Sequence, residues 1–138
     1  MCGINGILQS NSTCKEAVQR MNTHLAHRGP DDKGVYSEDG VALGQRRLSI
    51  IDLSSAGHQP MRSSDGRYIL VFNGEIYNFR ELKNELDYPF VSGTDSEVII
   101  AAYIKWGKDC VSRFNGMFAF AIWDTTRKEL FIARDRLG

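Results

Sequence analysis

The spacing of apolar residues changes along the chain, and each change predicts an element. Gly3 to Leu8 is a short apolar run with glycines at 3 and 6 that let another backbone or a ligand come close, and it predicts a strand. Thr13 and Glu16 then have capping-box spacing. Ala17, Met21 and Leu25 recur every four residues until His27-Arg28-Gly29-Pro30 breaks the run, which predicts a helix with that stripe in the core. Gly34 to Tyr36 and Val41 to Leu48 predict two strands of an antiparallel sheet joined across Asp39-Gly40. Asp65-Gly66 predicts a turn into the dense apolar strand Tyr68 to Phe72, which should end at the polar Asn73-Gly74-Glu75. Asn78 with Glu81 predicts a capped helix through Leu86, and Thr94 with Glu97 a second through Trp106, stopped by Gly107. Met117 to Trp123 and Glu129 to Ala133 predict a hairpin across residues 124–128.

Composition narrows the class. The 138 residues, 42% of them apolar, suffice for one domain with a core, and no repeat, low-complexity stretch or linker divides them. Seventeen basic residues balance seventeen acidic ones, so no net field recruits nucleic acid or an anionic membrane. No apolar run approaches the roughly 20 residues of a membrane span, and the start lacks signal-peptide character, which points to a cytoplasmic protein. Cys2, Cys14 and Cys110 are an odd set without CxxC spacing, so neither a disulfide framework nor a metal site is expected.

Cys2 is the residue with the most chemistry. If Met1 is removed, Cys2 carries a thiol and an α-amine on one carbon, and such an amine, neutral above about pH 8, can relay the thiol proton without a histidine. Asn73 and Gly74 offer an amide and an unencumbered backbone N–H for an oxyanion, although Asn-Gly also reads as a turn. Arg47 can grip a carboxylate, although beside Arg46 it also reads as strand decoration. Asp95 can hold an ammonium or simply complement a helix dipole.

Eight blocks in order join these features: residues 1–7 (MCGINGI), 27–31 (HRGPD), 47–52 (RLSIID), 59–60 (QP), 72–78 (FNGEIYN), 93–98 (GTDSEV), 114–124 (FNGMFAFAIWD) and 133–138 (ARDRLG). In this the whole chain resembles the N-terminal glutaminase domain of asparagine synthetases, class II glutamine amidotransferases of the N-terminal nucleophile hydrolase type. The wording of 27–31, 47–50, 73–78 and 134–138 favours that branch over the phosphoribosyl-pyrophosphate, fructose-6-phosphate and glutamate synthase branches. The resemblance implies an α+β fold, an αββα sandwich of two antiparallel sheets flanked by helices, incomplete at its C-terminus. It implies that Cys2 attacks the glutamine amide and forms a glutamyl thioester, with Asn73 and the Gly74 N–H as oxyanion donors. Arg47 would hold the substrate carboxylate, Glu75 and Asp95 its ammonium, while His24, His27 and His58 stay structural.

The same resemblance sets what to expect beyond residues 1–138, read as one partial domain. No cofactor or metal is expected here; ATP and Mg belong to a synthetase (ATP-pyrophosphatase) domain, whose phosphate loop does not occur in this sequence. The implied partners are glutamine and a synthetase domain or chain that receives ammonia for an activated carboxylate, aspartate or another, with homodimerisation left open and no nucleic acid or membrane. A retained Met1 would turn the Cys2 amine into an amide and remove the base. The alternatives are an inactive fragment or interaction module that keeps the scaffold, and a redox protein reacting through Cys14 or Cys110.

Overall fold

The computed structural model describes residues 2–9, 14–38, 40–50 and 54–138. Its elements are β1 (Gly3–Leu8), α1 (Cys14–His24), β2 (Asp32–Glu38), β3 (Val41–Arg47), β4 (Met61–Arg62), β5 (Tyr68–Ile76), α2 (Phe79–Glu85), α3 (Asp95–Trp106), β6 (Gly116–Asp124) and β7 (Glu129–Arg134). Short 3₁₀ turns, which sequence patterning did not anticipate, occupy Ser55–Gly57 and Gly107–Arg113. Strands β1-β3-β2 form one antiparallel sheet and β4-β5-β6-β7 a second.

Period-two alternation on the central strands builds the layers. Val41 and Leu43 of β3 meet Ile69 and Val71 of β5 and Trp123 of β6 between the sheets. The opposite face of the second sheet, with Leu70, Phe72, Phe120 and Ile122, packs on Val98, Ile99 and Ala102 of α3 and Leu82 of α2. On the outside of the first sheet, Ala42 packs on Cys14 and Val18 of α1. The result is the expected α+β sandwich of helix, sheet, sheet and helix. Each fully buried Leu, Ile, Val or Phe contributes about 1.5–3 kcal/mol. Helix α3 is buried on all sides over its first two turns, from Asp95 to Ala102, and is a core helix rather than an amphipathic one. The outer edges of β1 and β7 flank an apolar trough of about 590 Å³ lined by Ile4, Ile7, Leu43, Val71, Leu130 and Ile132.

The predicted phase of α1 is wrong. Its buried face is Cys14, Val18 and Asn22, whereas Met21 is 38% exposed. The cause is close approach: a side chain on Gly44 of β3 would lie 2.6 Å from Val18 and 2.8 Å from Asn22. Asn22 is tolerated there because its Oδ1 accepts from Asn5 Nδ2 (2.6 Å) and its Nδ2 donates to the Gly34 carbonyl (2.9 Å). Thr13, the predicted cap of α1, and Asp39 of the predicted turn lie outside the described residues; Gly40 of that turn has φ +86°.

Helices α2 and α3 start where expected but are not capped by the expected side chains. Asn78 instead latches the start of α2 to the approach to β6, donating to the Arg113 carbonyl (3.0 Å) and accepting from the Asn115 N–H (2.9 Å). The Thr94 hydroxyl pairs with that of Ser92 (2.9 Å), and Glu97 reaches back to the N–H groups of Val91 (3.0 Å) and Ser92 (2.8 Å). The β6–β7 turn is held by Asp124, which takes N–H groups of Thr126 and Arg127 and a two-pronged bond from Arg67. The Arg67 hydrogen bonds hold its carboxyl down at about 2.

A polar cluster ties the two sheets together. Glu38, at the end of β2, accepts from the indole of buried Trp123, from the Tyr36 hydroxyl (2.8 Å) and from Lys128 (2.8 Å). Glu38→Ala strands the indole N–H without its acceptor, so urea unfolding should show a loss of about 1–3 kcal/mol. An unchanged midpoint would show that the bridge contributes nothing.

Candidate active site

The first sheet presents Cys2 one residue before β1. Its Sγ accepts from the Leu48 N–H (3.3 Å), continuing the line of the β1–β3 ladder past Gly3 and Arg46. Its carbonyl accepts from Arg28 Nε (3.0 Å). Gly29 allows this arrangement, since a Cβ there would lie 2.4 Å from the Arg46 carbonyl. Arg28 therefore fixes Cys2, a role hidden in the HRGPD block until the fold brought residues 26 positions apart into contact.

The second sheet presents the polar end of β5. Asn73-Gly74-Glu75 does not end that strand; it continues to Ile76, with Asn73, Gly74 and Glu75 opposite Ala119, Phe118 and Met117 of β6. A Cβ on Gly74 would lie 2.1 Å from the Met117 carbonyl, and φ there is +148°, so glycine permits both the conformation and the approach. Polarity alone suggested a strand end, but pairing with β6 overrides it.

Strand alternation shows where the Gly74 N–H points. Odd-numbered neighbours face β6: the Arg67 carbonyl accepts from Thr125 (3.0 Å) and the Tyr77 N–H donates to Asn115 (2.7 Å). Even-numbered residues face the β4 side: the Tyr68 carbonyl accepts from Ser63 (2.9 Å), the Phe72 N–H donates to Gln59 Oε1 (2.6 Å), and the Ile76 N–H donates to Asp95 Oδ2 (2.9 Å). Gly74 falls between Phe72 and Ile76 on that side, where β4 no longer runs, because β4 pairs only with Leu70 and Ile69. Its N–H thus points into the gap between Gln59 and Asp95.

All six residues singled out in the sequence, Cys2, Arg47, Asn73, Gly74, Glu75 and Asp95, line one cleft of about 90 Å³, together with Leu48, Gln59 and Ser96. This is far smaller than the roughly 300–1,000 Å³ of drug-sized ligand sites. Arg47 is buried, its Nη1 donating to the Ser54 carbonyl (2.9 Å), and it needs Gly57, whose Cβ would lie 2.1 Å from Nη2. Asp95 is 4% exposed, and burial pushes its carboxyl up, with the Glu75 charge adding to the rise and the Ile76 N–H opposing it. A cation and two carboxylates therefore line one cleft with a thiol, a charge arrangement that complements the head of an amino acid.

Residues 1–138 match the family described as the glutamine amidotransferase domain. The chain belongs to that family. This glutamine amidotransferase domain is 44% identical to a putative glutamine-hydrolysing asparagine synthetase 2 of Methanocaldococcus jannaschii, over all of this chain and 30% of that one. It is 42% identical to the glutamine-hydrolysing asparagine synthetase 3 of Bacillus subtilis, over all of this chain and 24% of that protein. Amidase chry2 of Gibberella zeae is 40% identical over all of this chain and 23% of its own length. The domain thus spans less than a third of each of these relatives.

The histidines and the other two cysteines of the amidotransferase domain are not among the residues that line the cleft. His58 pairs with Asp32 at the surface (2.6 Å), and His27 Nδ1 lies 3.0 Å from the His24 carbonyl. Cys14 and Cys110 are buried, and burial pushes the Cys110 thiol up to about 12, the opposite of what a redox-active thiol needs. Among the described residues no helix is long and apolar enough to cross a membrane, and no group of three His, Cys, Asp or Glu could hold a metal ion.

Proposed function

We propose that residues 1–138, a single partial domain, hydrolyse glutamine at Cys2 to release ammonia. The observation that carries this is the Cys2 thiol in one cleft with a buried arginine, two carboxylates and the Asn73-Gly74 backbone. Arg47 takes the α-carboxylate and Glu75 with Asp95 the α-ammonium, so that the side-chain amide reaches the sulfur. With Met1 removed, the α-amine takes the thiol proton as sulfur bonds to the amide carbon, and the Asn73 amide and Gly74 N–H receive the oxyanion. The same proton goes to the departing nitrogen, the C–N bond breaks, and ammonia leaves a glutamyl thioester. Water adds to that carbonyl, giving a proton to the α-amine; the C–S bond breaks, that proton passes to the departing sulfur, and glutamate leaves a regenerated Cys2 thiol.

We infer that the ammonia is delivered to an ATP-activated carboxylate, aspartate, in a synthetase portion that would also hold Mg. The relatives named glutamine-hydrolysing asparagine synthetases support this reading. This domain itself works without a cofactor, in the cytoplasm.

An electrophilic glutamine analogue, the chloroketone, tests the site by intact mass and peptide mapping. The expected product is one label per chain, on a Cys2 that has lost Met1, with glutamine protecting. A label on Cys14 or Cys110, or labelling indifferent to glutamine, would overturn the proposal.

A further inference from the structure

We propose that Gln59 is a positioning residue that holds the Gly74 N–H open towards the cleft; this rests on Gly74 acting as the oxyanion donor. Gln59 is 4% exposed and both ends of its amide are engaged. Oε1 accepts from the Phe72 N–H (2.6 Å), in the place a longer β4 would fill, and Nε2 donates to Ser96 Oγ (3.1 Å) in the first turn of α3, beside Asp95. Its backbone is seated on the other sheet: a Cβ on Gly34 of β2 would lie 2.0 Å from the Gln59 carbonyl oxygen.

One residue therefore joins three walls of the cleft. Its backbone rests on the sheet that carries Cys2, while its side chain holds the strand of Gly74 and the helix of Asp95. A side chain does here what a strand cannot. A continued β4 would offer a carbonyl to Phe72 and then another to Gly74, consuming the oxyanion donor. Gln59 satisfies Phe72 alone and stops, which leaves the next amide on that edge for substrate. Phe72 is 3% exposed, so its N–H requires a protein partner.

The test uses the full-length protein, with glutamate release expressed per reactive Cys2 counted by stoichiometric alkylation, which removes any loss from misfolding. Gln59→Met removes both hydrogen bonds at similar volume, and kcat should fall by about 30-fold or more with KM within about threefold, since the oxyanion exists only in the transition state. Gln59→Glu keeps the acceptor for Phe72 and lets the Ser96 hydroxyl donate, and should restore kcat to within about fivefold of wild type. Hydrogen exchange adds a readout that needs no variant: the Phe72 amide should exchange at least about 10-fold more slowly than that of Gly74. A Gln59→Met kcat within about threefold of wild type, a loss that Gln59→Glu does not restore, or equal exchange at the two amides overturns the inference. Glutamate release that survives Cys2→Ala overturns the reading of the cleft and this inference with it.

Discussion

Cys2→Ala abolishes glutamate release from glutamine, by a factor on the order of 10⁴ or more, and leaves the sandwich folded. The loss is large because, among the described residues, no other thiol lines the cleft: Cys14 and Cys110 are buried elsewhere, and the lining hydroxyls of Ser96 and Thr94 are engaged by Gln59 and Ser92. The fold survives because the thiol contributes little to it. Its contacts are a 3.3 Å acceptance from Leu48 N–H and a 3.7 Å approach to the Leu48 carbonyl, weak sulfur bonds whose loss costs less than about 1 kcal/mol. Glutamate formation at saturating glutamine, followed beside the thermal midpoint of each protein, checks both halves. Equal release by wild type and variant would leave only the inactive-scaffold reading.

Asp95→Asn raises KM for glutamine by roughly 30- to 150-fold, corresponding to about 2–3 kcal/mol for a buried charge deprived of its partner, and stabilises the ligand-free protein. The two effects share a cause. Asp95 is buried with its carboxyl pushed up, so without substrate its ionised form is unfavourable. The folded value lies above the unfolded one, and the group therefore penalises folding fully above the folded value and not at all below the unfolded one. Asparagine keeps an oxygen for the Ile76 N–H and removes that penalty at neutral pH. In the proposed binding mode glutamine removes it differently, by placing its ammonium beside the carboxylates. Wild-type KM should accordingly rise as pH falls through the raised Asp95 value, and the variant should lose that rise. A variant with wild-type KM, or one whose KM keeps the same acid limb, would remove Asp95 from the ammonium site.

Much of the architecture was legible locally. The strand at Gly3–Leu8, both hairpins and the stop of α3 at Gly107 follow from alternation and turn glycines, which act over a few residues. The phase of α1 was not legible, because Met21 looks like a core residue until the close contact at Gly44 places Val18 and Asn22 against the sheet. The caps at Asn78 and Thr94 were misread for a similar reason. Both side chains had partners outside their own helix, at Arg113 and Asn115 and at Ser92.

By itself the sequence singled out Cys2 as the candidate nucleophile, the resemblance to the family and the six residues that meet in the cleft, since these are matters of residue type and order. Only the tertiary structure decided how they are aimed. Arg28 reaches Cys2 across 26 positions, and Gln59 and Asp95 take the amides on either side of Gly74. Which backbone N–H remains available depends on where a neighbouring strand stops, and that is a property of contacts between distant segments rather than of any local pattern.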